Sequence, residues 1–475
     1  MNAKRLIIEL PLVLTLGMTS NPLIANDELD KALSGFENPA VNNELDDALD
    51  GFGSAAMPLE ETAIKPSEPD KIHWRNMLGV NTQVTTQHRQ PATGQTDWRG
   101  IQQLQLKTRL IADIELPKQW KASIGVNGFV DAAYRLNGRD SYNSGVLAAQ
   151  ETELELFEAY VMGSLLPQTD LKIGRQIIVW GKSDTIRITD IINPLDNRQP
   201  GLVDIEDLRL PVFSTKLTQY HGDWAMSLIA LHEQRPPKEP ATNGEYLPIA
   251  IFPFPPGFQF PEVDQQQSEF DTTFALSAEG RFSGWDVSLY AARAQDNRWT
   301  FNANKTERSY QPMNMFGAAA NFSLGGGLLK TEIGYFSDLK YNTTQKSKNR
   351  LDVLIGYDYL SIPDWSFSFE IANRIIQDYE TSMAQMPDAV SEQNWQSATR
   401  VSYDFNRDKA KLSYLISAFG EQAELGGFQR LWLDYDYTDQ VNASIGYIDY
   451  FGGEHLLWDA LKNNDRLFAS LEYYF

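Results

Sequence analysis

The chain closes on Arg466-Leu-Phe-Ala-Ser-Leu-Glu-Tyr-Tyr-Phe475, where Leu467, Ala469, Leu471, Tyr473 and Phe475 alternate with Phe468, Ser470, Glu472 and Tyr474. A period of two is the signature of a strand with one apolar face. A flat apolar strand left unpaired at a chain end invites aggregation, and pairing it with an opening strand removes that edge. The ending therefore constrains the whole chain towards a sheet that closes on itself.

The same alternation recurs upstream. Leu104, Leu106, Leu110, Ile114 and Leu116 share one face, opposite Gln103, Gln105, Lys107, Arg109, Asp113 and Glu115. Leu351, Val353, Ile355, Tyr357 and Tyr359 oppose Asp352 and Asp358, and Leu431, Leu433, Tyr435 and Tyr437 oppose Arg430, Asp434 and Asp436. In the fourth strand Glu158 falls on the apolar side. Eighteen candidate strands run from Ile72–Thr85 to Leu467–Phe475, including Trp120–Leu136, Leu171–Trp180, Trp285–Gln295 and Met313–Leu324. Connections after even-numbered strands are short, such as Gly222-Asp223, Ser283-Gly284 and Thr438-Asp439, whereas the others are generally longer and more polar. Short turns on one side and long loops on the other are the asymmetry of membrane barrels.

No stretch beyond Ala25 approaches the roughly 18 apolar residues a membrane helix needs, so a membrane-spanning chain of this kind must be a closed barrel. The expected fold class is all-β, an antiparallel transmembrane β-barrel of about 18 strands, preceded by a short acidic segment of weak helical character. An apolar exterior with a charged interior predicts a lumen that is wet or filled by loops. Trp120, Trp180, Trp224, Trp285, Trp365, Trp395, Tyr447 and Tyr450 sit near strand ends and are expected in interfacial girdles.

Three segments are expected: a signal peptide over 1–25, an acidic periplasmic segment over 26–70 and the barrel over 71–475. Lys4 and Arg5 precede an apolar run from Leu6 to Met18, and Ala25 offers a small residue for cleavage. The chain has no cysteine and a net charge of −22, which excludes thiolate metal sites and argues against nucleic-acid partners. The segment from Asn26 to Asp70 carries −10 of that charge and repeats Glu28-Leu-Asp-Lys-Ala-Leu-Ser-Gly-Phe36 as Glu44-Leu-Asp-Asp-Ala-Leu-Asp-Gly-Phe52. Leu33, Phe36, Leu49 and Phe52 fall on the apolar faces of helices too short to stand alone, so they are candidate contacts for a partner or for the lumen, beside the reading of a plain tether.

Two resemblances add to this. The closing strand is similar to the last strand of bacterial outer-membrane barrels. That resemblance implies an outer-membrane, lipid-embedded location and recognition of Leu471, Tyr473 and Phe475 by the barrel-assembly machinery. Leu171-Lys-Ile-Gly-Arg-Gln-Ile-Ile-Val-Trp-Gly-Lys-Ser-Asp184, continuing through Arg187, Asp190 and Ile191-Ile-Asn-Pro-Leu-Asp196, resembles an uncharacterised family of Gram-negative outer-membrane barrels. That family is found alongside RND/MMPL-type exporters and periplasmic proteins related to lipoprotein-sorting factors. The Gly-Arg-Gln strand is also similar to the eighteen-stranded alginate-export barrels. The resemblance implies transport of an amphiphilic or hydrophobic molecule with a periplasmic or inner-membrane exporter component.

The alternative is a solute channel, either a porin or a polymer-export duct. Its pore-lining candidates are Lys107, Arg109, Asp113, Arg374, Arg400 and Arg430. A third reading is an anchor that conducts nothing. Arg175, Asp184, Arg187, Asp190, Asn193 and Asp196 are candidates for a constriction, because the connection from Gly181 to Leu210 is too long and too charged for a simple turn. Phe252, Phe254, Phe258 and Phe260 mark a proline-rich apolar loop, either a lid or a contact surface. His73, His88, His221, His232 and His455 lie singly, so neither catalysis nor a metal or cofactor is expected.

Overall fold

The computed structural model describes residues 71–91, 95–248, 262–263, 272–302, 304 and 306–475. The segments 1–25 and 26–70, with Leu33, Phe36, Leu49 and Phe52, and the aromatic loop with Phe252, Phe254, Phe258 and Phe260 lie outside the described residues.

The strands are β1 (Ile72–Thr85), β2 (Gly100–Glu115), β3 (Lys121–Asp131), β4 (Thr152–Leu166), β5 (Thr169–Gln176), β6 (Val212–His221), β7 (Trp224–Leu231), β8 (Glu262–Val263), β9 (Thr273–Phe282) and β10 (Trp285–Phe301). They continue as β11 (Glu307–Leu324), β12 (Gly327–Leu339), β13 (Lys348–Tyr359), β14 (Trp365–Ile376), β15 (Gln393–Phe405), β16 (Ala410–Phe419), β17 (Gly426–Thr438), β18 (Val441–Phe451) and β19 (Arg466–Tyr474). β8 is a two-residue strand lying parallel to β11, and β7 pairs directly with β9. The other eighteen form one antiparallel meander, which closes where β19 pairs with β1 from Met77↔Tyr474 to Thr85↔Arg466. No helix among the described residues is long and apolar enough to cross a membrane. The outward positions, among them Leu106, Leu154, Phe274, Phe316, Ile355 and Ile445, are apolar and exposed, which is the lipid-facing belt of an outer-membrane barrel.

Where the strands depart from expectation, local chemistry explains it. β4 carries a bulge: Glu158 pairs with Gly125 but Leu156 pairs with Val126, so Phe157 is the extra residue. A bulge resets which side chains face inward. Glu158 therefore points into the lumen, where Ser123 Oγ lies 3.5 Å from its carboxylate, and it is not on the apolar side. β3 ends at Asp131 and not at Leu136, because the Asp131 carboxylate accepts the N–H groups of Leu104 and Ala133 and starts the helical turn Ala133–Leu136. β10 and β11 run on to Phe301 and Glu307, with a register shift between Gln295 and Trp299. Pro312 sits opposite Gln295 at that irregularity, the kind of place where a missing N–H is tolerated.

The girdle is also narrower than predicted. Trp285 stacks on Phe282 at 4.4 Å and Trp365 on Tyr403 at 4.7 Å beside the short turns, as an interfacial belt requires. Trp180 and Tyr450, in contrast, are buried inside the barrel.

Candidate functional site

The connection from Ile177 to Pro211 does not stay at the barrel mouth. β5 stops at Gln176, short of Trp180, because Asn193 takes over the backbone: its Oδ1 accepts the Ile178 N–H at 2.8 Å and its Nδ2 donates to the Leu210 carbonyl at 2.7 Å. Trp180 then stacks on Tyr290 of β10 at 4.6 Å.

Residues 182–189 cross to β12 and β14, and two wall carboxylates hold them. Glu332 accepts the N–H groups of Lys182, Ser183 and Thr189 and the Thr189 hydroxyl at 2.6, 2.8, 3.1 and 2.7 Å. Glu370 accepts the Ser183 hydroxyl and the N–H groups of Asp184, Thr185 and Ile186 at 2.7, 2.8, 3.1 and 2.9 Å. Between them the buried Lys330 is shared by Asp184 and Asp358, and Lys182 reaches Asp286 at 2.7 Å. Gly181 has φ +84°, and a Cβ there would lie 2.8 Å from Glu332, so a larger residue would prise this contact apart.

The wall facing this excursion is apolar. Ile178, Trp180, Ile191 and Ile192 pack with Val212, Ile229, Met313, Met315 and Phe336, while inward Ala275, Ala292, Ala294 and Ala319 leave room for the chain. Ile186 and Ile188 form a second cluster with Leu354, Ala372 and Ala398. Each isoleucine so buried contributes about 1.5–3 kcal/mol. The half of the lumen lined by β6–β14 thus holds a plug that packs like the interior of a soluble protein.

A second excursion, residues 198–207, reaches the opposite wall. Arg198 binds Asp196 at 2.5 Å and Glu153 at 2.9 Å. The Tyr450 hydroxyl donates to the Pro200 carbonyl at 2.7 Å, and Asp204 pairs with both Arg400 and Arg430. Here the wall stays polar, and a cavity of about 590 Å³ remains between this segment, β1–β3 and β17–β19.

Of the pore-lining candidates, Lys107, Arg109, Arg400 and Arg430 face this cavity. Asp113 does not; it is held by Arg75 at 2.5 Å. Arg374 is covered by the plug, donating to the Arg187 carbonyl at 3.2 Å. Of the constriction candidates, Asp184, Arg187, Asp190, Asn193 and Asp196 lie in the inserted segment, and Asp190 pairs with Arg187 and Arg209 at 3.2 and 2.8 Å. Arg175 is instead a wall residue of β5, 3.3 Å from Glu233 and 3.6 Å from Glu155. Neither Glu332 nor Glu370 was among the candidate site residues of the sequence. The available signal was an isolated acid flanked by small residues: Glu332 two residues before Gly334 and Glu370 two before Ala372.

The β7–β9 connection also reaches inward. Glu245 and Arg466 form a buried pair at 2.6 Å, with Gln83 accepting from the same guanidinium at 3.1 Å beside Tyr246 and Tyr450. Arg466→Met is expected to lower stability by about 3–5 kcal/mol because Glu245 is left buried and uncompensated, whereas adding Glu245→Met recovers most of the loss. Urea unfolding in detergent micelles measures both; equal losses in the single and double variants would contradict it.

The histidines do not converge. His232 contacts Thr215 and Thr272, and His455 accepts the Leu457 N–H as a helix cap, its basicity lowered by burial. No cluster of potential metal ligands occurs among the described residues.

Known structures share this architecture. OccAB3 of Acinetobacter baumannii is 8% identical with a TM-score of 0.51, covering 85% of this chain and 99% of that one. OpdK of Pseudomonas aeruginosa, solved with vanillate, is 10% identical with a TM-score of 0.50 over 85% and 98% of the two chains. A BenF-like porin from Pseudomonas fluorescens Pf-5 is 11% identical with a TM-score of 0.51, over 85% and 98%. At these identities the likeness is one of fold, that of outer-membrane porin barrels. No curated protein matches the chain. Residues 48–475 match the family described as protein of unknown function (DUF1302), and the chain belongs to that family.

Proposed function

We propose that the protein is an outer-membrane solute channel whose route is the polar cavity beside the plug. The carrying observation is the division of the lumen: one half is filled by apolar packing, and the other keeps a cavity of about 590 Å³ lined by Lys107, Arg109, Gln105, Asn127, Asn442 and Glu472 among others. A polar lining suits a small hydrated solute better than the hydrophobic cargo expected from the sequence resemblance. That cargo class rests on the resemblance and on the aromatic loop from Tyr246 to Pro261, of which residues 249–261 lie outside the described residues. An exporter partner on the periplasmic side rests on the resemblance alone.

Purified protein in a planar bilayer tests this reading. Small, steady single-channel steps are expected, reduced by polar solutes that fit the cavity. Insertion of heat-modifiable barrel without conductance would return the protein to the role of a non-conducting anchor.

A further inference from the structure

Four of the five basic side chains that line the cavity are bound to carboxylates. Lys107 is bound to Glu472 at 2.5 Å, and Arg198 to Asp196 and Glu153. Arg400 and Arg430 both converge on Asp204, and their guanidinium groups lie over the Trp432 ring at 5.1 and 4.0 Å. Among the described residues, Arg109 is the one cavity cation with no carboxylate within ion-pair distance; it donates to Asn127 at 3.1 Å and stacks over Phe157 at 4.9 Å.

The acids are in surplus. Five basic and seven acidic side chains of the described residues line the cavity. Asp207, exposed on the inserted segment, and Asp434 of β17 both face it, and neither has a basic side chain within 4 Å among the described residues. A confined passage with surplus negative charge and low-dielectric walls concentrates cations and repels anions.

We infer that the cavity selects small polar cations, of the ammonium-bearing class, over anions of similar size. This rests on the channel reading above and adds its substrate class. Arg198, Arg400 and Arg430 serve as counter-ions that hold the inserted segment, Lys107 neutralises Glu472 of the wall, and Asp207 and Asp434 supply the selecting charge.

The test is the reversal potential of the reconstituted full-length protein in a KCl gradient, together with entry of putrescine and succinate into proteoliposomes. The expected results are a potential of the sign set by potassium, and putrescine entering several-fold faster than succinate. Asp207→Asn, in an exposed position that carries none of the fold, should shift the potential towards chloride, and adding Asp434→Asn should shift it further. A chloride-set potential, succinate entering as fast as putrescine, or no shift in either variant overturns the inference while leaving a conducting channel in place. Absence of conductance overturns the channel reading itself and this inference with it.

Discussion

Replacing Glu332 and Glu370 together by Ala is expected to raise the single-channel conductance several-fold. These carboxylates receive eight hydrogen bonds from residues 182–189, and six of the donors are backbone N–H groups. A hydrogen bond to a charged group contributes about 1.5–3 kcal/mol, and a buried donor left unmatched costs about 1–3 kcal/mol. Without either acceptor, five N–H groups must find water, Ile186 N–H keeping the Ser183 hydroxyl at 3.0 Å, and the segment finds it by leaving the wall. Each single variant leaves half the grip and is expected to open partially. The barrel does not depend on this contact, so the double variant should remain heat-modifiable and present at normal amounts. Cleavage by added protease within 182–189, absent from the parent, would report the release directly. An unchanged conductance in the double variant would mean that the apolar packing of Ile186, Ile188, Ile191 and Ile192 holds the plug without the carboxylates.

Deleting Phe475 is expected to remove most of the protein from the outer membrane in cells while barely changing the barrel once it has formed. In the structure Phe475 adds only one exchanged pair of backbone hydrogen bonds with Asn76, at 3.0 and 3.1 Å, to a β1–β19 seam that already has nine paired positions. Two such bonds are worth roughly 0.5–1.5 kcal/mol each, a small change for a closed barrel. The side chain itself lies exposed on the outside, stacked on Tyr473 at 5.5 Å. Loss of assembly therefore has to come from recognition of the terminal strand, which we propose the assembly machinery reads. Two measurements separate the causes. The amount of heat-modifiable protein in the outer membrane should fall sharply, and the urea midpoint of the variant refolded in detergent should stay close to the parent. Normal amounts in the membrane would refute the recognition role, and a large drop in midpoint would reassign it to stability.

The barrel was legible because its outer face is apolar at alternate positions, and β1 and the turns at Gly222-Asp223 and Ser283-Gly284 fall where alternation places them. The inner face follows two rules. Along β2, β17 and β19 it is polar, and alternation marks it clearly. Along β10–β12 it carries Tyr290, Ala292, Met313, Met315 and Phe336, so apolar residues occur on both faces and the period of two fades. That loss of contrast is itself the mark of the plugged half. The charged candidates of the inserted segment were identifiable from their density between Gly181 and Leu210. Their partners were not, because pairing across a lumen depends on where a loop lands. Glu158 was misplaced for a simpler reason: one extra residue at Phe157 inverts the parity, and nothing in the local sequence announces it.

The two-faced character of β10–β12 has a consequence for biogenesis. Before the barrel closes, these strands are apolar towards lipid and largely apolar towards the lumen, with Lys330 and Glu332 as inner charges, so an unassembled sheet of them offers little soluble surface to the periplasm and is prone to aggregate. β2, β17 and β19 run no such hazard, having one wettable face each. The cover for the hazardous surface, residues 177–211, lies ahead of β10–β12 in the chain and so leaves the inner membrane first during N-to-C export. The order of residues along the polypeptide therefore delivers the shield before the surface that requires it, and a circular permutation that places β10–β12 ahead of this segment would reverse the protection.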